Sequence, residues 1–151
     1  MEVPSPGRTF VELQKAMTRL HIAYLRSPLG SLPAPPGARF LILHTTGRRS
    51  GTDRATPLSF TKDGESYVLI ASNGGAARHP DWYLNLEADP EADIEVRGRR
   101  KRVRAETVAG TERERLWNAA VASYAGYAAY QRRAEREIPV VRLRVIEPAR
   151  D

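Results

Sequence analysis

The stretch HTTGRRSGTDRATPLSF, His44 to Phe60, sets Arg48, Arg49 and Ser50 between Gly47 and Gly51, with Arg54 close behind. Guanidinium groups offer forked donors that match phosphate or carboxylate, and glycine lets the backbone turn tightly and approach a ligand. The pattern fits an anion site, and equally a solvated hairpin tip. A second group is ASNGG, with Ala71, Ser72, Asn73 and Gly75, where a strand running into two glycines presents backbone N–H groups to a cavity and lets a flat ring lie close. Trp82 and Asn85 follow one helical turn apart; a lone Trp belongs to the core more often than to a ligand wall, and Asn85 serves as well to brace a loop. A third group is SYAGYAAY, with Tyr124, Tyr127 and Tyr130 each three residues apart. On one helix they share nearby faces, and a phenol joins an apolar body to a proton donor. The plain alternative is rings packed under an amphipathic helix. The fourth is RGRRKRVR, Arg97 to Arg104. It lacks the interleaved aromatics of single-strand binders, so a solvated hairpin with snorkelling cations is preferred to specific nucleic-acid binding.

Other chemistries find no support. The histidines, His21, His44 and His79, are scattered without metal-ligand spacing, so no metal is expected. Neither a G-x-G-x-x-G after a strand nor a G-x-x-x-x-G-K-[ST] is present. A Ser-His-Asp triad requires a fold to be assumed first. With no cysteine there is no disulfide, thiolate site or thiol nucleophile.

The elements that must position these groups follow from periodicity. Residues 1–8 read as a frayed terminus. An amphipathic helix over 9–26 carries Phe10, Leu13, Met17, Leu20 and Tyr24 as one stripe, with Thr9 and Glu12 spaced as a capping box. SPLGSLPAPPG is a connector. RFLILHT reads as a buried strand, and RATPLSFTKDGESYVLIAS as two strands joined at Asp63-Gly64. Pro80 suits the first position of a short helix that Asp89-Pro90 stops. ADIEVRGRRKRVRAETV predicts a hairpin turning at Gly98, Thr111 with Glu114 a second capping box, and the following helical region bends near Gly126 before PVVRLRVIEP closes as a strand. About six mainly antiparallel strands with flanking helices predict an α+β fold, one domain over residues 1–151 built on a small barrel or strongly curved sheet.

The 151-residue chain carries 24 Lys plus Arg against 18 Asp plus Glu, a net charge of +6. That balance favours anionic partners without choosing among nucleic acid, acidic membrane and phosphate- or carboxylate-bearing ligands. The first 30 residues show no apolar signal-peptide core, and no apolar run is long enough to span a bilayer, so a cytoplasmic protein is expected, with membrane association open through the N-terminal helix.

TTGRRSG, then Arg54, Pro57 and Leu58, then Ala71, Ser72 and Gly75, then HPDWYLNL, the spaced tyrosines and IPVVRLRVIEP, in this order, resemble the deazaflavin-dependent nitroreductase and quinone reductase family of actinobacteria. The resemblance spans roughly residues 38–148. It implies a split β-barrel of the FMN-binding type that binds reduced coenzyme F420 and passes hydride to a quinone, nitroaromatic or activated enone. Carried over by position, Arg48, Arg49, Ser50 and Arg54 hold the phosphate and tail carboxylates, and Pro57 and Leu58 pack near the ring. Ala71, Ser72, Asn73 and Gly75 line the ring edge, while Trp82 and Asn85 close the groove. Tyr124, Tyr127 and Tyr130 line the acceptor pocket, with a tyrosine hydroxyl or water as proton source. Some relatives carry lysine where Arg49 and Asn73 stand, and an apolar residue in place of Asp81. The resemblance also leaves room for a homodimer. The rival readings are an FMN-dependent flavoprotein of the same fold and a non-enzymatic module for lipid or nucleic acid.

Overall fold

The computed structural model describes residues 8–27 and 39–147. Residues 1–7 of the expected frayed terminus (1–8) and most of the proline-rich connector (28–38) lie outside them, and Arg8 already belongs to a helix. In chain order come α1 (Arg8–Arg26), β1 (Phe40–Thr46), β2 (Asp53–Ser59), β3 (Thr61–Asp63), β4 (Ser66–Ile70), one 3-10 turn (Asn73–Gly75), α2 (Asp81–Ala88), β5 (Glu91–Val96), β6 (Arg99–Thr107), α3 (Gly110–Ser123), α4 (Gly126–Ala134) and β7 (Val140–Glu147).

The seven strands form one sheet, in the order β2-β1-β5-β6-β7-β4-β3, and every neighbouring pair is antiparallel. Its two edge strands, β2 and β3, are consecutive in sequence and separated only by Phe60. A single residue can link the two edges only if the sheet curls until they meet. The chain is thus a curled half-barrel, in agreement with the expected split barrel. An irregularity in the β6–β7 register at Arg102/Val103 adds local twist to that curl.

This arrangement corrects one reading. The run from Arg54 to Ser72 is not one two-stranded hairpin. Its first half pairs with β1, from Phe40↔Ser59 to Thr46↔Asp53, and only the short β3 pairs with β4 across the Asp63-Gly64 turn. The strand count is seven rather than six for that reason. Neither threonine stands immediately before a helix as its capping box requires. Thr9 lies inside α1, which already includes Arg8, and α3 begins after Ala109 with no side-chain cap, leaving Thr111 in its first turn. Pro80 precedes α2 instead of opening it. The basic hairpin turns at Arg97-Gly98 as expected, with both residues at positive φ (51° and 74°), the geometry of a tight two-residue hairpin.

Alternation explains the core. In β4, Tyr67 and Leu69 face the barrel interior with Leu41, Leu43, Trp82, Leu86, Ile94, Val103 and Leu143. Val68 and Ile70 face the other way, under α3 and α4, with Leu116, Ala120, Ala134, Ile138 and Val140. The cations of β6 are matched by the acids of β5: Arg100 and Arg102 bond Asp93, and Arg102 and Arg104 bond Glu91. Lys101 reaches the Tyr67 hydroxyl at 2.8 Å. Three of the six cations in the basic run, Arg100, Arg102 and Arg104, are thus paired across their own hairpin.

The N-terminal helix is held through a small polar cluster. Arg26 donates to Glu95 at 2.9 Å, and buried His44 stands between Asp53 (3.0 Å) and Glu95 (2.5 Å). The His21 ring meets Phe40 edge-on. Of the expected apolar stripe, Leu13, Met17, Leu20 and Tyr24 are exposed, and the Phe10 side chain lies outside what the structure describes. Among the described residues no helix is long and apolar enough to cross a membrane.

On the outer face, Arg142 joins Glu106, Glu112 and Asp63, and Arg115 joins Asp63 and Glu112. The Arg115 hydrogen bonds hold Asp63 below the usual carboxylate range. Burial pushes Glu106 up, but Arg142 and Arg144 outweigh it and hold the carboxyl down. A carboxyl whose pKa is depressed by folding contributes stability above its unfolded pKa and loses it as pH falls through the folded value. Melting temperature is therefore expected to decline below about pH 4.5 at low salt. Arg142→Ala should lower stability by about 1 kcal/mol at neutral pH, since its partners are partly solvated, and flatten that decline. Thermal melts of both proteins across the acid range check it.

Candidate active site

The arginine loop is ordered from below. Gly51 N–H donates to the Gly47 carbonyl and Gly47 N–H to the Thr52 carbonyl, each at 2.8 Å, closing the turn. Arg48 donates to Asn85 Oδ1 through its backbone N–H (3.2 Å) and its guanidinium (2.9 Å), and reaches Asp81 at 3.3 Å. Asn85 is 4% exposed and donates to Thr45 Oγ1. Asn85 thus anchors the loop to α2, and it is not among the residues that line the cavity. Asp81 also pairs with Arg78. Ser50 Oγ and Thr52 Oγ1 are 2.8 Å apart, and Arg54 reaches Ser50 at 3.4 Å. Arg49 is exposed and, among the described residues, has no partner.

A cavity of about 600 Å³ opens on the other side of Trp82. Leu58, Phe60, Val68, Ile70 and Trp82 give it apolar walls; Ser72, Gly74 and the three tyrosines give it polar groups. Of the twelve residues expected at the cofactor, Leu58, Ser72 and Trp82 line this space. Arg48, Arg49, Ser50 and Arg54 form the neighbouring loop, Ala71 is fully buried, and Gly75 lies beneath α4. Pro57 sits on β2 opposite Ile42, and Asn73 is exposed at the turn, so neither reaches the lining.

The turn after β4 has an unusual backbone. Ser72 is right-handed (φ −74°, ψ −33°), and Asn73 and Gly74 are left-handed (φ 47° and 63°). This right-then-left succession aims consecutive amides into one concavity, a nest for an anionic or electron-rich oxygen. Among the described residues the amide N–H groups of Ser72, Asn73 and Gly74 have no hydrogen-bond acceptor. Asparagine tolerates the left-handed position, and here its side-chain amide donates to the Arg78 carbonyl at 2.9 Å.

The tyrosines do not share one helix. Tyr124 follows α3 with extended backbone (φ −145°, ψ 103°), while Tyr127 and Tyr130 belong to α4. The chain break folds Tyr124 back over Gly126, where any Cβ would collide with its ring. The three rings meet with centroids 5.0 to 6.3 Å apart. Tyr124 and Tyr130 hydroxyls are 2.9 Å apart, and Tyr127 Oη is 2.9 Å from Ser59 Oγ. The Tyr130 hydrogen bond raises the Tyr124 pKa above its ordinary value, and burial raises that of Tyr127. Both are phenols, able to donate, throughout the physiological range.

Several lining residues were missed. Ser59 and Phe60 are reached only because the chain crosses between sheet edges there, Arg39 and Ser123 carry no sequence signal, and Gly74 belongs to the glycine turn without having been singled out in it. Arg136 is the largest omission. It donates to the carbonyls of Ala71, Ser72, Ala76 and Arg78 and bonds His79 Nδ1 at 2.9 Å.

Residues 17–145 match the family model described as F420H(2)-dependent quinone reductase. The chain belongs to this family. An F420H(2)-dependent quinone reductase of Mycobacterium tuberculosis is 39% identical over 133 residues, covering 83% of this chain and 87% of the relative. The solved F420-H2 dependent reductase FDR-A of Mycobacterium smegmatis is 35% identical with a TM-score of 0.64, over 70% of this chain and 93% of that one. A structure described as a domain-swapped dimer is 30% identical, with a TM-score of 0.66, and covers 89% of this chain and 97% of that one. The protein is thus an oxidoreductase that uses coenzyme F420. The FMN and non-enzymatic readings give way to it. The apolar cavity, the open amides and the arginine loop beside them suit a flat ring with an anionic tail.

Proposed function

We propose that the cavity between the tyrosines and the Ser72–Gly74 turn is where this F420H2-dependent reductase brings its cofactor and acceptor together. The observation that carries this reading is the run of unpaired amides from Ser72 to Gly74, of which Ser72 and Gly74 belong to the wall of the cavity the tyrosines line. Bound reduced F420 supplies the hydride. Ser72, Asn73 and Gly74 would take the ring edge, with Ala71 and Gly75 setting the turn. Leu58 and Trp82 would cover the ring, and Pro57 would stiffen β2 behind Leu58. Arg49, Arg54 and Ser50 would hold the phosphate and tail carboxylates, with Arg48 held in place by Asn85. The acceptor would lie against the tyrosine rings, which exclude water. Of the hydroxyl pair Tyr124–Tyr130, one donates to the other, so the accepting phenol keeps its own proton to give. Quinone is the acceptor the family name carries; nitroaromatics and activated enones share its planar, electron-poor character.

The purified protein should oxidise reduced F420 with menadione, read as recovery of deazaflavin fluorescence. No oxidation with menadione, a nitroimidazole or an unsaturated lactone would overturn the site assignment. Arg48→Ala combined with Arg49→Ala should weaken long-tailed F420 about 10- to 100-fold, the loss of charge-assisted hydrogen bonds, and leave tail-less deazaflavin nearly unchanged. Equal weakening of both would put the tail elsewhere.

The relative described as a domain-swapped dimer supports a homodimer for this chain as well. The exposed stripe Leu13, Met17, Leu20 and Tyr24 on α1 would be the surface it covers. A lipid surface would serve the same stripe in a cytoplasmic, membrane-touching enzyme. Sedimentation equilibrium, and co-sedimentation with anionic vesicles, separate the two.

A further inference from the structure

Four carbonyls of one loop converge on a single side chain from another element. Arg136 Nε donates to Ala76 (3.0 Å). Its Nη2 donates to Ala71 (3.3 Å), Ser72 (3.1 Å) and Arg78 (3.3 Å), and its Nη1 to His79 Nδ1 (2.9 Å). All three nitrogens are therefore spent on the 71–79 segment. No carboxylate neutralises the charge among the described residues. Burial and the Arg136 charge both lower the His79 pKa, which keeps the imidazole neutral and able to accept. Arg133 adds a bond to the Gly74 carbonyl at 3.3 Å.

The consequence is a division of the turn's two polar edges. Its carbonyls are drawn toward Arg133 in the last turn of α4 and Arg136 just beyond it. The amides of Ser72, Asn73 and Gly74 are left without acceptors, and Ser72 and Gly74 line the cavity. Arg136 is also fixed to α4: its own carbonyl accepts from Gln131, whose side-chain oxygen accepts from Ile138 N–H. The same helix carries Tyr127 and Tyr130. One guanidinium therefore sets the distance between the amide nest and the tyrosines, and places an uncompensated positive charge behind the nest.

We propose that Arg136 is a positioning residue for the cofactor ring: it holds the Ala71–Arg78 turn against α4 with the nest open, and its charge strengthens the hold of those amides on an electron-rich ring oxygen. This inference rests on the placement of the ring at the Ser72–Gly74 turn. Preorganised donors backed by a supporting shell lose much of their effect when that shell is loosened, typically 10- to 100-fold for outer partners of a metal site.

Arg136→Gln and Arg136→Lys test it, with affinities for F420 and for tail-less deazaflavin measured by fluorescence, amide hydrogen exchange over residues 71–79, and melting temperature. Arg136→Gln is expected to weaken both ligands alike, by about tenfold, and to speed exchange in the turn, with the arginine loop unaffected. Arg136→Lys keeps the charge but not the fork and should recover part of the affinity. A purely structural role would lower melting temperature and leave both affinities intact well below it, and that result overturns the proposal. If Arg136→Gln does not fold, Arg136→Lys carries the test, with weakened binding of both ligands expected and unchanged binding again overturning it. The underlying site reading fails separately: in that case wild-type protein binds F420 but not the tail-less ring, or shows no protection of the 72–74 amides when the ring binds.

Discussion

Tyr124→Phe combined with Tyr130→Phe should lower turnover with menadione about 100-fold, the usual scale for loss of a positioned proton donor, while F420 affinity changes less than about twofold. The two hydroxyls are 2.9 Å apart and their rings lie at the cavity wall. When one phenol gives up its proton, its partner's hydrogen bond stabilises the oxygen left behind. Tyr124 is 49% exposed, so water can return the proton. Either single variant should lose less, since the remaining hydroxyl and a water can share the role. The Tyr124 pKa is raised by Tyr130 and that of Tyr127 by burial, so the donating form persists above the ordinary phenol range. Wild-type turnover should therefore show no alkaline loss from phenol ionisation up to about pH 9. Stopped-flow fluorescence of F420H2 oxidation reads both. Full turnover in the double variant would assign the proton to water.

Gly75→Ala is expected to combine the second-largest loss of activity with a loss of stability. Gly75 has φ 83°, and an added Cβ would stand 3.0 Å from the Tyr130 carbonyl oxygen, 3.1 Å from Tyr130 Cα and 3.3 Å from Arg133 Cβ. Left-handed strain and displacement of α4 act together, lowering stability by about 2 kcal/mol, or about 4–8 °C in melting temperature. The shift separates the turn from the tyrosines, so turnover should fall more than about tenfold. Gly74→Ala is the control: it is also left-handed, at φ 63°, but nothing lies within 4 Å of its added Cβ. It should cost about 1 kcal/mol of strain and leave the spacing intact. Equal effects at the two positions would show that strain alone matters.

Most of the strands were legible because their signals are local. FLIL within RFLILHT is continuously apolar since β1 is buried along most of its length, and Val141, Leu143 and Val145 alternate with Arg142 and Arg144 because β7 has one wet face. Arg97-Gly98 is a two-residue hairpin in its own dipeptide. The capping boxes failed because their spacing is common, and nothing in it says whether the backbone before Thr9 or Thr111 is already helical. The stripe on α1 predicted an amphipathic helix correctly but not what covers it.

Within the site, residue type announced the arginine loop, the glycine turn and the tyrosines. It did not announce Ser59, Arg39 or Arg136. An arginine in REIPVV among twenty-odd cations looks like any other, and only folding brings four carbonyls from 58 to 65 residues earlier in the chain onto it. For Asn85 the sequence left closing the groove and bracing a loop open; it braces Arg48, which depends on the facing of α2.

By itself, then, the sequence determined the strands, the turns and the chemical character of each cluster, because those depend on neighbours within a few residues. The ordered motifs also determined the family and with it the cofactor. Tertiary structure alone decided which clusters meet. The sheet had to curl until its edges joined at Phe60, and α3 had to break at Tyr124, before three tyrosines could share one cavity with Ser72 and Gly74. Those are contacts between residues far apart in the chain, set by closure and packing, and no periodicity records them.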